Sequence, residues 1–331
     1  MLNINTHNLT NKKNLLAFSA GVDSSALFFL LLENKIKFDI AIVDYAIRKQ
    51  SKEEVAHAKT LAKKYKLFCH TIQAPTFNSH FEQQARDFRY EFFESLVSIE
   101  GYDNILTAHQ LNDQLEWFLM RLSKGAGVCE LLGLEPLSKR NNYTLIRPLL
   151  SYRKEELLSY LKTHDYPYFI DKSNSDEKYE RNKFRQQFSD ALISQYKEGI
   201  SRSFEYLRKD KEALESEFKI VYTEKSLYIV KLHTLSSKVK ATDLTLKKLG
   251  YLLSASQRQE IEKETSLVVG GEWAVELQDD LLYIAPYTKI EMPKKFKEAC
   301  RVAKIPSKIR PYCCRVGIPT HQISAIPLSK K

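Results

Sequence analysis

Hydrophobic and polar positions in the first half of the chain alternate between two kinds of segment. Short apolar runs at residues 15–18, 40–44, 67–72 and 105–108 favour β-strands. Longer amphipathic stretches favour helices, and they cover residues 24–32, 53–64, 82–97 and 113–122. Strands separated by helices of this length need crossover connections. The pattern therefore predicts an α/β fold with an open parallel sheet and helices on both faces.

The pattern changes in the second half of the chain. Residues 176–217 carry many charges and no proline, which favours one or two long exposed helices. Beyond residue 218, short strand-like runs, a helical segment near 256–264 and a Gly270-Gly271 turn favour a small α+β module. We predict three parts: a catalytic domain over residues 1–188, a helical connector over 189–217 and a C-terminal region over 218–331.

Most of the formal net charge of +10 lies at the end of the chain, because residues 291–331 contain ten Lys or Arg and two Glu. A basic tail on a nearly neutral body favours contact with nucleic acid, although such tails can also serve solubility alone. The longest apolar run, residues 26–32, is much shorter than the roughly 20 residues of a membrane span, and the N-terminus lacks a signal-peptide core. We therefore expect a cytoplasmic protein without a membrane partner.

The first apolar run leads into a short loop that opens directly into an apolar helix. The loop contains Ser19, Ala20, Gly21, Val22, Asp23 and Ser24. Helix N-terminal amides and hydroxyl donors suit a pyrophosphate oxyanion, and Asp23 could orient a Mg²⁺ ion. The loop is neither G-x-x-x-x-G-K-[ST] nor G-x-G-x-x-G, which disfavours kinases and dehydrogenases. The alternative is a capping loop with a purely structural role.

Two further groups of side chains could carry chemistry. His109, Asp113 and Glu116 follow at spacings of four and three, which predicts one helix face that could bind Mg²⁺, hold an ammonium group and accept its proton. Arg86 and Arg89 lie on a predicted helix, where they could clamp phosphates or pair with neighbouring acids. For both groups, an ordinary charged helix face is the alternative interpretation.

The loop S-A-G-V-D-S resembles the S-G-G-x-D-S loop of the PP-loop ATP pyrophosphatases, with Ala20 in place of the first glycine. Within that superfamily, the segment from Ala108 to Gly127 is similar to the A-H-x-x-D-D-Q-x-E-T and R-L-x-x-G-x-G runs of the lysidine synthetases. Asn112 and Trp117 depart from that pattern. The resemblance covers residues 15–188.

Other runs carry the same resemblance. The A-R-x-x-R-Y pattern matches at Arg86 and Arg89, and V-D-H-x-L-R appears with Tyr45 after Asp44. R-P-L-L matches at 147–150, and a D-x-S-N run ending in R-N-x-x-R matches from Asp171 through Arg181 to Arg185. The resemblance implies that Arg86, Arg89 and Arg181 contact phosphates or the transition state, and that Asp44 contacts ATP, with Tyr45 as a candidate stacking or polar contact near the adenosine.

The resemblance also implies an activity. Lysidine synthetases use ATP, Mg²⁺, L-lysine and the tRNA(Ile) with a CAU anticodon: the wobble cytidine is adenylated at C2, and the lysine amine then displaces AMP. The resulting lysidine changes codon reading from AUG to AUA. The resemblance implies roles in catalysis for Asp23, His109, Asp113 and Glu116. A tRNA thiolase, a GMP-synthetase type of ligase and an idle RNA-binding protein are the alternatives, and a homodimer is left open.

Overall fold

We describe the chain from a computed structural model that covers residues 2–46, 49–77, 81–170 and 180–326. It divides into two compact units, of which the first ends at Arg208 and the second begins at Lys209. This boundary lies inside the helical stretch 189–217, within a single long helix.

The first unit is built on a six-stranded sheet. Its strands are β1 (Asn14–Ala17), β2 (Phe38–Asp44), β3 (Cys69–Gln73), β4 (Asn104–Leu106), β5 (Leu137–Lys139) and β6 (Thr144–Ile146). They lie in the order β3-β2-β1-β4-β6-β5, and every neighbouring pair is parallel except β5 and β6. The predicted open parallel sheet is confirmed, although the apolar pattern revealed neither β6 nor the antiparallel edge strand β5.

Helices cover both faces of this sheet. They are α1 (Val22–Glu33), α2 (Lys49–Tyr65), α3 (Phe81–Glu100), α4 (Leu111–Leu122), α5 (Val128–Leu131), α6 (Lys154–Thr163), α7 (Glu180–Phe184) and α8 (Asp190–Ser216). Successive residues of β1 point to opposite faces, so Leu16 joins the core formed with α1, α2 and α6 while Leu15 joins the core formed with α3. One π-helical turn, Arg185–Ser189, lies between α7 and α8.

The strand order determines where a ligand site can form. From β1 the chain adds β2 and β3 on one side, and then returns to place β4 on the other side of β1. Ligands of open α/β sheets bind at such a switch point, beyond the carboxyl ends of the strands. The loop after β1 and the loop after β4 meet there, and these two loops carry the two motifs found in the sequence.

The second unit is a five-stranded antiparallel sheet. Its strands are β7 (Phe218–Glu224), β8 (Leu227–Leu232), β9 (Ser266–Val269), β10 (Trp273–Gln278) and β11 (Leu281–Pro286), in the order β7-β8-β11-β10-β9. Two helices pack on one face of this sheet, α9 (Lys238–Lys248) and α10 (Ala255–Lys263). The core on the other face includes residues of α11 (Lys294–Val302), α12 (Arg310–Val316) and α13 (Thr320–Ser324). Up to residue 326 the basic tail is folded, and Cys300 and Ile309 are buried in the core. Among the described residues, no helix is long and apolar enough to cross a membrane.

Candidate active site

The loop between β1 and α1 has the shape expected of an oxyanion site. Gly21 is the N-cap of α1 in an extended conformation, and no side chain caps the helix. The first-turn amides therefore have no partner from a capping side chain. Ser24 accepts a hydrogen bond from the Ser19 amide at 3.2 Å and donates to the Gly21 carbonyl at 3.1 Å. The Ser24 hydroxyl thus shapes the loop, while Ser19 is exposed and Val22 packs against the core.

Ala20 adopts the backbone conformation that usually requires glycine. Its φ is +60°, and the residue is fully buried. Its carbonyl accepts hydrogen bonds from the Phe169 amide at 2.9 Å and from the Ser25 hydroxyl at 3.2 Å. An alanine in the left-handed region costs about 1 kcal/mol more than glycine. The chain keeps the turn although it has lost the first glycine of the S-G-G-x-D-S loop.

This strain leads to a prediction about two substitutions. Ala20→Gly should leave the free energy of unfolding within about 1 kcal/mol of wild type, because relief of strain offsets the lost methyl burial and the freer unfolded chain. Ala20→Val should cost more than about 2 kcal/mol and weaken ATP binding, because a β-branched residue avoids positive φ. Ala26→Val, at an equally buried helical position, is the matched control in urea unfolding. Equal losses for the two valine variants would contradict the assignment of strain to residue 20.

The structure corrects the expectation that His109, Asp113 and Glu116 share one helix face. His109 lies in the loop before α4, because Gln110 is the N-cap of that helix. The Gln110 side chain accepts from the Asn112 amide at 2.6 Å, and Asp113 Oδ2 accepts from the Gln110 amide at 3.0 Å. A helix closed by this reciprocal capping begins after His109.

Asp113 and Glu116 do lie together, and two arginines engage them. Arg181 donates from Nη2 to Asp113 Oδ1 at 2.5 Å and from Nε to Glu116 Oε2 at 2.9 Å. Arg185 donates from Nε and Nη2 to the two oxygens of Glu116 at 2.6 and 3.0 Å. The Glu116 side chain is 0% exposed, so these charge-assisted bonds replace its hydration. We call Asp113, Glu116, Arg181 and Arg185 the ion-pair cluster.

The two carboxylates of the ion-pair cluster have opposite pKa shifts. Burial, followed by the nearby charge of Asp113, raises the pKa of Glu116 against the opposing effect of both arginines. Burial would also raise the pKa of Asp113, but the charges of Arg181, His109 and Arg185 outweigh it and lower that pKa. Glu116 is therefore the carboxylate of the pair that takes up a proton more readily.

Asp23 links the phosphate loop to the ion-pair cluster. Its pKa is raised to about 7, first by burial and then by the charge of Asp113, while Lys154 and Arg185 act in the opposite direction. Asp23 Oδ1 is buried without a hydrogen-bond partner. Such an atom fits a cation, and Mg²⁺ commonly uses one carboxylate together with substrate phosphates. Among the described residues, no group of three or more His, Cys, Asp or Glu could hold a metal without such help.

His109 is uncharged at neutral pH. Burial lowers its pKa to about 4, and the charges of Arg147, Arg181 and Arg89 add to this effect while Asp113 opposes it. His109 Nδ1 lies 3.0 Å from the Thr107 hydroxyl. An imidazole with so low a pKa is a weak acceptor for the proton of an ammonium group.

The other predicted residues lie around the same edge of the sheet. Arg86 and Arg89 are exposed on α3, and no described acid pairs with either; the Arg86 guanidinium lies 5.6 Å from the centre of the Tyr90 ring. Asp44 ends β2, where its Oδ1 accepts from the Ala46 amide at 2.8 Å and from the Ser51 hydroxyl. Contact of Asp44 with adenosine therefore stays a prediction that would use its second oxygen.

Lys154 is not among the residues predicted from sequence, and Arg185 is predicted only through the R-N-x-x-R run, whose Arg and Asn residues suit phosphate and base-edge contacts. Lys154 is the first residue of α6, and its charge acts on Asp23. The nearness of Lys154 to Asp23 could not be predicted from the sequence, because α6 and α1 are far apart in the chain and pack together only in the folded protein. Arg185 carried a signal, since it ends the R-N-x-x-R run, and it begins the π-helical turn that aims it at Glu116. Asp171, Ser173 and Asn174 of the same run lie outside the described residues.

Trp117 replaces a threonine of the lysidine synthetase pattern for a structural reason. Its indole N–H donates to the Glu130 carbonyl at 3.0 Å, and its ring covers Gly133 so closely that a Cβ there would lie 2.3 Å from the indole nitrogen. The Arg121 guanidinium lies 4.4 Å from the centre of the ring on another side. Trp117 thus fixes the loop that follows α4.

Comparison with known proteins identifies the family. Residues 2–192 match the PP-loop domain. The chain is 45% identical to the tRNA(Ile)-lysidine synthase of Campylobacter jejuni, over 92% of this chain and 93% of that protein. It is 44% identical to the tRNA(Ile)-lysidine synthase of Wolinella succinogenes, over 94% and 95% of the two chains.

The fold is also similar to a solved structure, the U34-tRNA thiolase NcsA from Methanococcus maripaludis with its [4Fe-4S] cluster. The TM-score is 0.51 at 18% identity, covering 60% of this chain and 72% of the thiolase. At that identity the likeness concerns the fold alone, whereas the sequence matches extend over nearly the whole length of both relatives. The chain therefore belongs to the tRNA(Ile)-lysidine synthase family of PP-loop proteins.

Proposed function

We propose that this chain is a ligase that joins L-lysine to C2 of the wobble cytidine of tRNA(Ile), with ATP cleaved to AMP and pyrophosphate. The family supports the reaction. The observation that carries the assignment of residues is the position of Asp23, which lies in the first turn of α1 and is close enough to the ion-pair cluster to be affected by its charges. One site thereby has a place for the leaving phosphates next to carboxylates that suit an amine.

The first step is adenylation of the base. The C2 oxygen of cytidine attacks the α-phosphorus of ATP, and the bond from that phosphorus to the bridging oxygen of the β-phosphate breaks. The amides at the start of α1 would stabilise the departing pyrophosphate, with Lys154 close enough to act on the same charge. Mg²⁺, when bound, would neutralise phosphate charge, and Asp23 would hold it.

The second step is transfer of the amine. The lysine ε-ammonium, which has an ordinary pKa of about 10.4, must lose a proton before its nitrogen can attack C2 and expel AMP. Glu116 suits the role of acceptor better than His109, since burial raises the pKa of Glu116 and lowers that of His109. In the structure, Arg181 and Arg185 donate hydrogen bonds to the carboxylates, so the ammonium must displace one of these arginines.

Arg181 is the arginine that we expect to be displaced. Its side chain is 40% exposed, against 15% for Arg185, so water can compensate its release. Once released, its guanidinium could bind the phosphate of the adenylate. Arg185 would stay on Glu116 and keep that carboxylate in position.

Binding of the tRNA should depend on the basic second unit. Lys294, Lys295 and Lys297 are exposed on α11, and unstacking the wobble base costs a few kcal/mol that phosphate contacts can offset.

Replacing these three lysines with Gln should therefore raise the Kd for tRNA at least about tenfold near 150 mM salt, and should make log Kd less dependent on salt by roughly one per lost contact. The same change at Lys59, Lys63 and Lys64, exposed on α2, is a charge-matched control. Filter binding over a salt series measures both quantities. Identical salt slopes for the two triple variants would argue against contact with α11.

The direct test of the proposed function compares two tRNAs with the same anticodon. The protein is incubated with ATP and radiolabelled lysine, together with either tRNA(Ile) or tRNA(Met) transcripts that both carry CAU. We expect label in the isoleucine tRNA alone, with one AMP released for each lysine incorporated. Binding of tRNA without AMP release would favour an idle RNA-binding protein, and AMP release without incorporation would point to another nucleophile.

A further inference from the structure

Asn112 occupies a junction of three elements of the first unit. It is the second residue of α4, directly before Asp113, and it is 1% exposed. Its Nδ2 donates to Asp190 Oδ1 at 2.7 Å, where α8 begins. Its Oδ1 accepts from the main-chain amide of Lys154 at 3.3 Å, where α6 begins. Its own carbonyl accepts from the Ser189 hydroxyl at 3.2 Å, at the end of the π-helical turn.

The contacts of Asn112 lead to charged side chains of the candidate site. Asp190 and Ser189 close the π-helical turn that begins at Arg185, whose guanidinium binds Glu116. Lys154 acts on the charge of Asp23. A displacement of Asn112 would therefore move both the arginine and the lysine.

The chemistry of the Asn112 and Asp190 pair allows only one acid. Asn112 must donate through its amide, because the Asp190 carboxylate can only accept. An aspartate at position 112 would place two carboxylates at hydrogen-bonding distance in a partly buried site, where ionising both is costly. The acid and the amide can nevertheless exchange positions, because the Lys154 amide needs only an oxygen at residue 112.

We propose that Asn112 is a positioning residue for the active site and acts through its pairing with Asp190. The pair holds the Arg185 turn and the start of α6 against α4. This inference rests on the proposed function for its catalytic consequence, although the pairing itself does not.

The test uses Asn112→Asp, Asp190→Asn and the exchanged double variant. We expect Asn112→Asp to lose at least about tenfold in lysine incorporation at pH 8, with a higher KM for lysine and partial recovery as the pH falls and one proton is shared. Asp190→Asn should lose only a few-fold, since two amides can still pair. The double variant should return to within about threefold of wild type, with its pH profile restored.

Thermal unfolding of the four proteins separates this inference from the proposed function. Recovery of the melting temperature in the double variant would support the pair even if the wild type failed to incorporate lysine. If Asn112→Asp does not fold, a folded and active double variant supports the proposal and an unfolded one overturns it. The proposal also fails if Asn112→Asp lowers the melting temperature but leaves the lysine KM and the pH profile unchanged, because the role would then be structural only.

Discussion

Glu116→Gln should reduce lysine incorporation by about a hundredfold or more. The side chain is fully buried and accepts from Arg181 and from both donors of Arg185. An amide keeps the shape of the carboxylate, but its NH2 group cannot accept a hydrogen bond, so at least one guanidinium donor loses its partner. It also removes the group that we expect to take the proton from the amine.

The matched control for Glu116→Gln is Asp243→Asn in the second unit. Asp243 is 4% exposed and binds Lys247 at 2.8 Å and Arg258 at 3.1 Å, so it is also a buried acid with two basic partners. This variant should lower stability but keep the rate of AMP release at saturating tRNA. Urea unfolding and single-turnover incorporation measure the two effects. Normal incorporation by a folded Glu116→Gln protein would remove Glu116 from the mechanism.

Asp23→Asn should have opposite effects on activity and on stability. Lysine incorporation should fall by about a hundredfold or more, because the phosphate loop loses the carboxylate suited to Mg²⁺. Without nucleotide, the variant should be more stable than wild type at pH 8 by about 2–4 kcal/mol, because burying the charged Asp23 is costly. Few substitutions in an active site are expected to stabilise the protein, so the combination is diagnostic.

The sign of this effect follows from the direction of the pKa shift. Burial raises the pKa of Asp23 from 3.8 to about 7, so the folded chain keeps a proton that the unfolded chain has already released. The contribution of Asp23 to wild-type stability therefore falls as the pH rises from about 4 to about 7, and Asp23→Asn removes that loss. The two proteins should unfold alike near pH 4 and differ at pH 8.

Addition of Mg²⁺ and ATP should reverse the order of stability. Binding to the folded state stabilises the wild type by mass action, and this gain should be much smaller in Asp23→Asn. Asp103→Asn, an acid at the opposite edge of the sheet that pairs with Lys12 at 3.6 Å, serves as the control and should keep wild-type activity. An equal response of Asp23→Asn and wild type to Mg²⁺ and ATP would contradict the role of Asp23 as a cation ligand.

Local chemistry made the phosphate loop and the two carboxylates predictable from sequence. A strand that leads into small residues and then an apolar helix has few structural solutions, and the spacing of Asp113 and Glu116 fits one helix turn. The spacing of His109 from Asp113 led to the wrong prediction that His109 lies on the same helix, because the interval between two residues does not show where a helix begins. The Gln110 cap decides that point, and glutamine is not among the usual N-cap residues.

Contacts between distant segments could not be derived from the sequence. Arg185 and Glu116 are 69 positions apart, and their pairing depends on a π-helical turn that has no clear sequence signal. β5 was missed because three residues, Leu137–Lys139, are too few to show an alternating pattern. In the tail, the burial of Cys300 and Ile309 could not be derived because their core includes Leu227 and Ile229, which lie about 70 positions or more earlier in the chain.

A crystal structure with Mg²⁺ and the α,β-methylene analogue of ATP would test most directly whether the phosphates bind next to the ion-pair cluster. We expect the β- and γ-phosphates to accept from the amides of residues 21–24, with Mg²⁺ on Asp23 and the α-phosphate facing Glu116. A triphosphate bound at another edge of the sheet, with the amides at the start of α1 left to water, would contradict the account.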